Sequence, residues 1–267
     1  MKLWVDGAPA AATLDRGLEF GDGLFETLAV VNGAPRLLER HLARLAHGCE
    51  RLGIAMPASA RLARELTLAA HGRGVGVLKL IVTRGAGGHG YAPVARARPR
   101  RTLVALPPRR RDPRFECDGI VARLCCTRLA LQPALAGLKH LNRLEQVLAR
   151  REWSDPAIPE GLMLDVQGRL ICGTISNVFL DLGQGLVTPA LTRCGVAGVM
   201  RAALLAGFAA AGHAVEERDV AAAELRTARE LFVSNALIGV WPVRRLDDRD
   251  YPLGRYAHAA RALVAKL

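Results

Sequence analysis

The apolar positions of the first hundred residues change period twice, and each change marks an element. Trp4-Val5 followed by Asp6-Gly7 predicts a short first strand and a turn. The segment from Phe20 to Val31 ends as an extended apolar run, and it stops at Asn32-Gly33. That pair accepts positive φ at little cost, so it predicts a hairpin. Leu38, Leu42, Leu45, Cys49 and Leu52 then recur at steps of four and three, the stripe of a helix, and Gly53 closes it. Arg44 lies beside this stripe and not on it, in position to reach over the helix edge. A second apolar helix over 60–70 ends at His71-Gly72, and Val77 to Arg84 reads as a strand running into the glycine-rich stretch 85–91, expected as a mobile loop.

The second half mixes the same two periods. A short strand over Thr102–Leu106 sits in a proline-rich segment, and the next strand is expected over Gly119–Leu124. Leu141, Leu144, Val147 and Leu148 give the residues after Lys139 one apolar face, which places Lys139 at the start of a helix. Gly161 to Asp165, Gln167-Gly168 and Leu170 to Cys172 form a hairpin pattern, continued by Asn177 to Leu180. Gly195 to Gly198 precede an alanine-rich helix from about Val199 to Ala211, and Glu230 to Asn235 reads as a buried strand. There is no internal repeat, and strands interleave with helices throughout. The expected class is therefore α/β (α+β) with two lobes: residues 1–107, a linker over 108–116, and a C-terminal lobe over 117–267 that carries Lys139.

Composition narrows the partners. With 267 residues, 51% of them hydrophobic, the chain can bury a real core, yet no run reaches the roughly 20 apolar residues of a membrane helix. Asp6 and Gly7 stand where a signal peptide keeps its apolar run, so a cytoplasmic protein with no membrane partner is expected. The six cysteines have no CxxC or zinc-ligand spacing, which favours free thiols and no metal. The net charge of +12 is local, because residues 96–114 hold eight arginines against one acid, Asp112. Aromatics are only 4% of the chain and no segment offers bases a stacking surface, so no nucleic-acid partner is expected; a basic RNA-binding or acidic-surface-binding protein is the non-enzyme alternative.

Lys139 can be a salt-bridge partner, a surface group or a Schiff-base nucleophile. Three features favour the last. Gly198 before a helix start leaves backbone N–H groups for a phosphate ester, Arg44 can add a charge-assisted fork, and Ser234-Asn235 at a strand end can add a side-chain donor. This set suits pyridoxal phosphate, whose aldehyde needs a lysine and whose phosphate needs an anchor. On the loop, Arg84, His89 and Tyr91 are groups that grip a carboxylate.

Four segments carry a resemblance: Phe20 to Phe25 (FGDGLF), Arg84 to Tyr91 (RGAGGHGY), Gly137 to Gln146 (GLKHLNRLEQ) and Ser234 to Leu237 (SNAL). In this order they resemble the fold-type-IV pyridoxal-phosphate enzymes, the family of branched-chain aminotransferases, D-amino-acid aminotransferases and 4-amino-4-deoxychorismate lyases. The likeness covers essentially the whole chain, and the His-Leu-Asn-Arg sequence after Lys139 is particular to the lyases. The resemblance implies that Lys139 is the Schiff-base lysine and proton shuttle. It implies that Arg44, the backbone at Val199 and Met200, and Asn235 bind the phosphate, and that Arg143 meets the ring oxygen or a substrate carboxylate. Glu26, Arg84, His89 and Tyr91 fall on the substrate side, with Glu26 in a supporting role.

One position departs from the family. Cys172 stands where relatives carry a glutamate hydrogen-bonded to the pyridine nitrogen, and a carboxylate there keeps that nitrogen protonated. Either Cys172 ionises beside a pyridinium, or the ring works with a less protonated nitrogen. The second suits a lyase, because formation of an aromatic product drives the elimination. The resemblance thus implies a homodimeric lyase that converts a small dicarboxylate, 4-amino-4-deoxychorismate, to 4-aminobenzoate and pyruvate. Transamination of a D- or branched-chain amino acid is the alternative.

Overall fold

The computed structural model describes residues 3–5, 8–10, 14–108 and 112–267. It divides into two compact units, Met1–Pro107 with Lys139–Asn142, and Pro108–Leu138 with Arg143–Leu267.

In the first unit β1 (Leu3–Val5) pairs with β2 (Ala8–Ala10), while Asp6 and Gly7 of the expected turn lie outside the described residues. There follow α1 (Arg16–Phe20), β3 (Gly23–Val31), β4 (Ala34–Pro35), α2 (Leu38–Leu52), α3 (Ser59–Ala70), β5 (Val75–Thr83) and β6 (Arg100–Leu106). The last four strands form an antiparallel sheet in the order β4-β3-β5-β6. Asn32 and Gly33 join β3 to β4 at φ of 51° and 77°, the left-handed pair that the hairpin requires. Alternation along β3 buries Leu24, Glu26, Leu28 and Val30 on one face. The buried stripe of α2, Leu42, Leu45 and Cys49, meets that strand, and α3 adds Leu62 and Leu66. Each fully buried leucine contributes about 1.5–3 kcal/mol. Gly48 lets α2 approach closely, since a Cβ there would overlap the methyls of Leu24.

Lys139 is not at a helix start, and it does not belong with the lobe of its sequence neighbours. Residues 139–141 are extended and pair with β3: Phe25 N–H donates to Lys139 O and Leu141 N–H to Gly23 O, both at 3.0 Å. Asn142 adds a bond to Gly21 O. These contacts are why the segment joins the first unit.

The second unit contains α4 (Arg114–Cys117), β7 (Ile120–Leu124), α5 (Leu144–Arg150), β8 (Glu160–Leu164), β9 (Arg169–Gly173), β10 (Asn177–Asp181), β11 (Leu186–Pro189) and α6 (Val199–Ala210). It closes with β12 (Val215–Arg218), β13 (Val220–Ala221), β14 (Glu230–Asn235), β15 (Gly239–Leu246), β16 (Arg249–Asp250) and α7 (Arg255–Val264). Among the described residues these strands make one mixed sheet, β12-β11-β10-β14-β15-β7-β8-β9-β13, with β16 paired to β15. Its core centres on Ile120, Leu162, Val178, Leu180, Leu231, Val233 and Val243. The expected linker 108–116 is corrected in part: α4 packs on β15, with Phe115 edge-on to Trp241 at 5.2 Å, while Arg109–Arg111 lie outside the described residues. The apolar face expected after Lys139 is also not a core face. Leu144, Val147 and Leu148 are 75%, 51% and 52% exposed, and α5 seats itself through Ala149 instead.

Candidate active site residues in each unit

In the first unit the pairing with β3 sets the Lys139 amine 4.3 Å from the centre of the Phe25 ring. Lys79 Nζ lies 5.2 Å from the same centre. An ammonium held on an aromatic face is stabilised by the ring's electron-rich surface.

On the opposite face of β3, Glu26 occupies an inward position that alternation would give to an apolar residue. It is 2% exposed and acceptable there only because α2 delivers two donors three residues apart. His41 Nδ1 lies 2.6 Å from Oε2, and Arg44 donates through Nε to Oε1 at 2.8 Å and through a terminal nitrogen to Oε2 at 2.5 Å. Burial raises the Glu26 pKa, but the charge of Arg44 and the bonds from both partners outweigh it and hold the carboxyl below its usual range. Burial holds His41 below its ordinary value, against the pull of Glu26. The cluster is therefore a carboxylate–guanidinium pair with a neutral imidazole, whose Nε2 is buried without a hydrogen-bond partner among the described residues. Both Glu26 oxygens are spent on these partners, so Glu26 does not present a carboxylate to substrate; it fixes the plane of Arg44.

Arg84 is likewise given a different task from the expected one. Its Nε donates to Asp22 Oδ2, and its terminal nitrogens donate to the carbonyls of Gly53 and Leu52, all at 2.7 Å. The two terminal nitrogens thus cap the C-terminus of α2 while Nε pairs with Asp22, so the guanidinium is engaged on all three nitrogens by the protein's own groups. The glycine-rich loop is held rather than loose. Buried Arg16 donates to the carbonyls of Gly90 and Tyr91 at 3.0 and 2.9 Å and to Asp22 at 2.9 Å. Burial raises the Asp22 pKa, yet the bonds from Arg84 and Arg16 hold it below the usual range. His89 and Tyr91 remain exposed on this loop, Tyr91 at 86% with its ring edge-on to Phe20. Arg16 was not evident in the sequence, where nothing distinguishes it from a surface arginine.

In the second unit the N-terminus of α6 has the features of an anion cup. Gly198 precedes Val199 with no capping side chain, and the first turn holds no acid, so its N–H groups face outward along a favourable dipole. Gly198 is required, because a Cβ would overlap Asn177 Oδ1. Asn177 is itself fixed, its Nδ2 donating to Val196 O at 2.9 Å. Across the sheet Asn177 pairs with Ser234, whose hydroxyl is buried and without a partner among the described residues. An orphaned buried hydroxyl beside an uncapped helix start fits a phosphate ester. Asn235 has a further duty: Nδ2 donates to Ile175 O at 3.0 Å, while Oδ1 accepts from Leu237 and Ile238 N–H, both at 2.8 Å.

Cys172 lies on β9 opposite Met163, and burial pushes its thiol far above the ordinary range; Glu160 adds to the rise and Arg143 opposes it. A thiolate at this position is therefore disfavoured. Cys125 and Cys194 share its apolar cluster and are pushed up to about 12 and about 11, by burial in both cases. All six thiols are free. Within the arginine-rich segment, Arg101 pairs with Glu65 and Arg114 with Asp112. Among the described residues no helix is long and apolar enough to cross a membrane.

Comparison with known proteins places these residues in a family. The model of the amino-transferase class IV family matches residues 23–246. Aminodeoxychorismate lyase of Vibrio harveyi is 32% identical over 262 residues, 95% of this chain and 96% of the relative. The crystal structure of 4-amino-4-deoxychorismate lyase from Pseudomonas aeruginosa superposes with a TM-score of 0.91 at 54% identity, covering 98% of each chain. D-alanine aminotransferase of Bacillus licheniformis is 28% identical over 236 residues, 87% of this chain and 82% of the relative. With the match spanning both units and including Lys139, the chain belongs to the amino-transferase class IV family.

Proposed function

We propose that this protein is a pyridoxal-phosphate-dependent lyase that converts 4-amino-4-deoxychorismate to 4-aminobenzoate and pyruvate. The observation that carries the reading is full-length likeness to lyases of that name, at 54% identity to the Pseudomonas aeruginosa protein and 32% to that of Vibrio harveyi, against 28% to D-alanine aminotransferase of Bacillus licheniformis. When bound, pyridoxal phosphate supplies an aldehyde for amines and a ring that draws electrons from the bonds beside the substrate nitrogen.

The chain's own residues do the rest. Lys139 provides the amine that carries the cofactor, takes the proton from substrate C4 and delivers a proton to the ether oxygen as it leaves C3. The released enol becomes pyruvate, and the ring becomes aromatic. Arg44, oriented by Glu26, and the backbone at Val199 and Met200 hold the phosphate, with Asn235 and the Ser234 hydroxyl beside that cup. Arg143 meets the ring oxygen or a substrate carboxylate, while His89 and Tyr91 are the loop contacts to substrate. Cys172 stands at the pyridine nitrogen as a neutral thiol, which suits an elimination driven by aromatisation better than the two half-reactions of a transaminase.

The test is direct. The purified enzyme with 4-amino-4-deoxychorismate releases pyruvate and 4-aminobenzoate in equal amounts. Accumulation of pyridoxamine phosphate and a keto acid from D-alanine or a branched-chain amino acid, with no 4-aminobenzoate, would move the assignment to a transaminase.

The protein acts in the cytoplasm as a homodimer on this reading. Free thiols suit a reducing compartment. The exposed Leu144, Val147 and Leu148 of α5 give a second copy an apolar face to cover. Leu148→Glu is expected to shift the sedimentation coefficient from dimer toward monomer; a wild-type protein that sediments as a monomer at micromolar concentration removes the dimer.

A further inference from the structure

Glu160 is a fully buried carboxylate with no cation bonded to it among the described residues. Five donors converge on it. Oε1 accepts from Gly161 N–H and Thr174 N–H at 2.9 Å and from the Thr174 hydroxyl at 2.5 Å. Oε2 accepts from Ile175 N–H at 3.3 Å and from the Ser176 hydroxyl at 2.6 Å. Burial pushes the carboxyl above its usual range, and the bonds from the Ser176 and Thr174 hydroxyls and from the Gly161 and Ile175 N–H groups oppose that rise.

Four of the five donors belong to one turn, Thr174–Ser176, which joins β9 to β10. The turn is closed by Gly173 N–H donating to Ser176 O at 2.8 Å, and a Cβ on Gly173 would overlap both the Ser176 hydroxyl and the Glu160 carboxylate. The turn has no slack. Cys172, before the turn, is held in β9 by its pairing with Met163, whereas Asn177 follows directly on the turn. Asn177 is bonded to Val196 O and packed against Gly198 at the start of α6, while Ile175 O receives Asn235 Nδ2. A shift of the turn therefore moves Asn177, which lies against the helix start and pairs across the sheet with Ser234, and Asn235, the next residue along that strand.

We propose, resting on the cofactor reading above, that Glu160 is a positioning residue that holds the Gly173–Asn177 turn so that Asn177, Asn235 and the N-terminus of α6 form the phosphate cup. It acts through the turn and touches neither cofactor nor substrate. A carboxylate is needed because all five partners donate, and an amide offers only one accepting atom.

The experiment compares apoprotein binding of two probes, pyridoxal phosphate and phosphate-free pyridoxal, by absorbance titration of wild type, Ser176→Ala, Thr174→Val and Glu160→Gln. Each hydroxyl variant leaves the carboxylate in place and removes one charge-assisted bond, and is expected to weaken pyridoxal phosphate about tenfold. Glu160→Gln is expected to weaken it roughly a hundredfold. Pyridoxal affinity stays within about twofold of wild type in all three, since the defect is in phosphate binding. Unchanged pyridoxal-phosphate affinity in the variants, or equal losses for both probes, overturns the inference. Should Glu160→Gln fail to fold, the hydroxyl variants decide it. A wild-type protein that binds neither probe overturns the cofactor reading, and this inference with it.

Discussion

Lys139→Ala is expected to lower pyruvate release by roughly ten-thousandfold or more, since one amine both carries the cofactor and moves the proton at C4. The composition makes this a sharp test. The chain has only four lysines, Lys2, Lys79, Lys139 and Lys266. Among the described residues Lys79 shares the surroundings of Lys139, its amine also lying over the Phe25 ring. Borohydride treatment of the holoenzyme should therefore label one peptide, the one containing residue 139, and Lys79→Ala should keep that label. Lys139→Arg preserves a cation on the ring without a carbonyl-reactive amine, so it too should lose turnover and label. Turnover of Lys139→Ala within about tenfold of wild type would sink the proposed chemistry, because no step in it works without this amine.

Glu26→Ala is expected to destabilise the protein by about 3–5 kcal/mol in urea unfolding, the cost of leaving a buried charge without its partner. Arg44 then keeps its charge in a poorly solvated position, and His41 loses its hydrogen bond to Glu26. The pH dependence follows from the sign of the shift. The folded Glu26 carboxyl lies below its ordinary value of 4.5, so its contribution is complete above that value and is lost as pH falls through the folded one. Asp22, held below 3.8 by Arg84 and Arg16 against burial, acts in the same direction. Urea midpoints measured from pH 7 down to pH 3 should fall at the acid end, and Glu26→Gln should flatten part of that fall. A Glu26→Ala protein within 1 kcal/mol of wild type would mean that the cluster is not the buried ion pair its geometry indicates. Loss of Glu26 also frees the plane of Arg44, so weaker pyridoxal-phosphate binding should accompany either substitution.

The amino-acid sequence alone determined the elements whose cause is local. The stripe Leu38-Leu42-Leu45-Cys49 gives α2 whatever surrounds it, and Asn32-Gly33 gives the β3–β4 turn because both residues tolerate positive φ. The start of α6 after Gly198 and the β8–β9 hairpin were legible for the same reason. The candidate amine was legible too, since Lys139 sits in a distinctive run and lysines are scarce. What the sequence could not carry were pairings between distant segments. Residues 139–141 share an apolar pattern with α5, yet they are extended, because hydrogen bonds to β3, more than 110 residues away, outweigh a local helical preference. A sign was present at Glu26, an acid on the inward face of an alternating strand, but only the fold shows that His41 and Arg44 arrive there. Arg84 and Arg16 read alike in sequence, as arginines near a loop; tertiary contacts decide that one caps a helix and the other ties the loop. Glu160 reads as the polar first residue of a strand. Its role exists only where the Thr174–Ser176 turn folds back over it, because a hydrogen bond depends on position in space and periodicity reports only on neighbours along the chain.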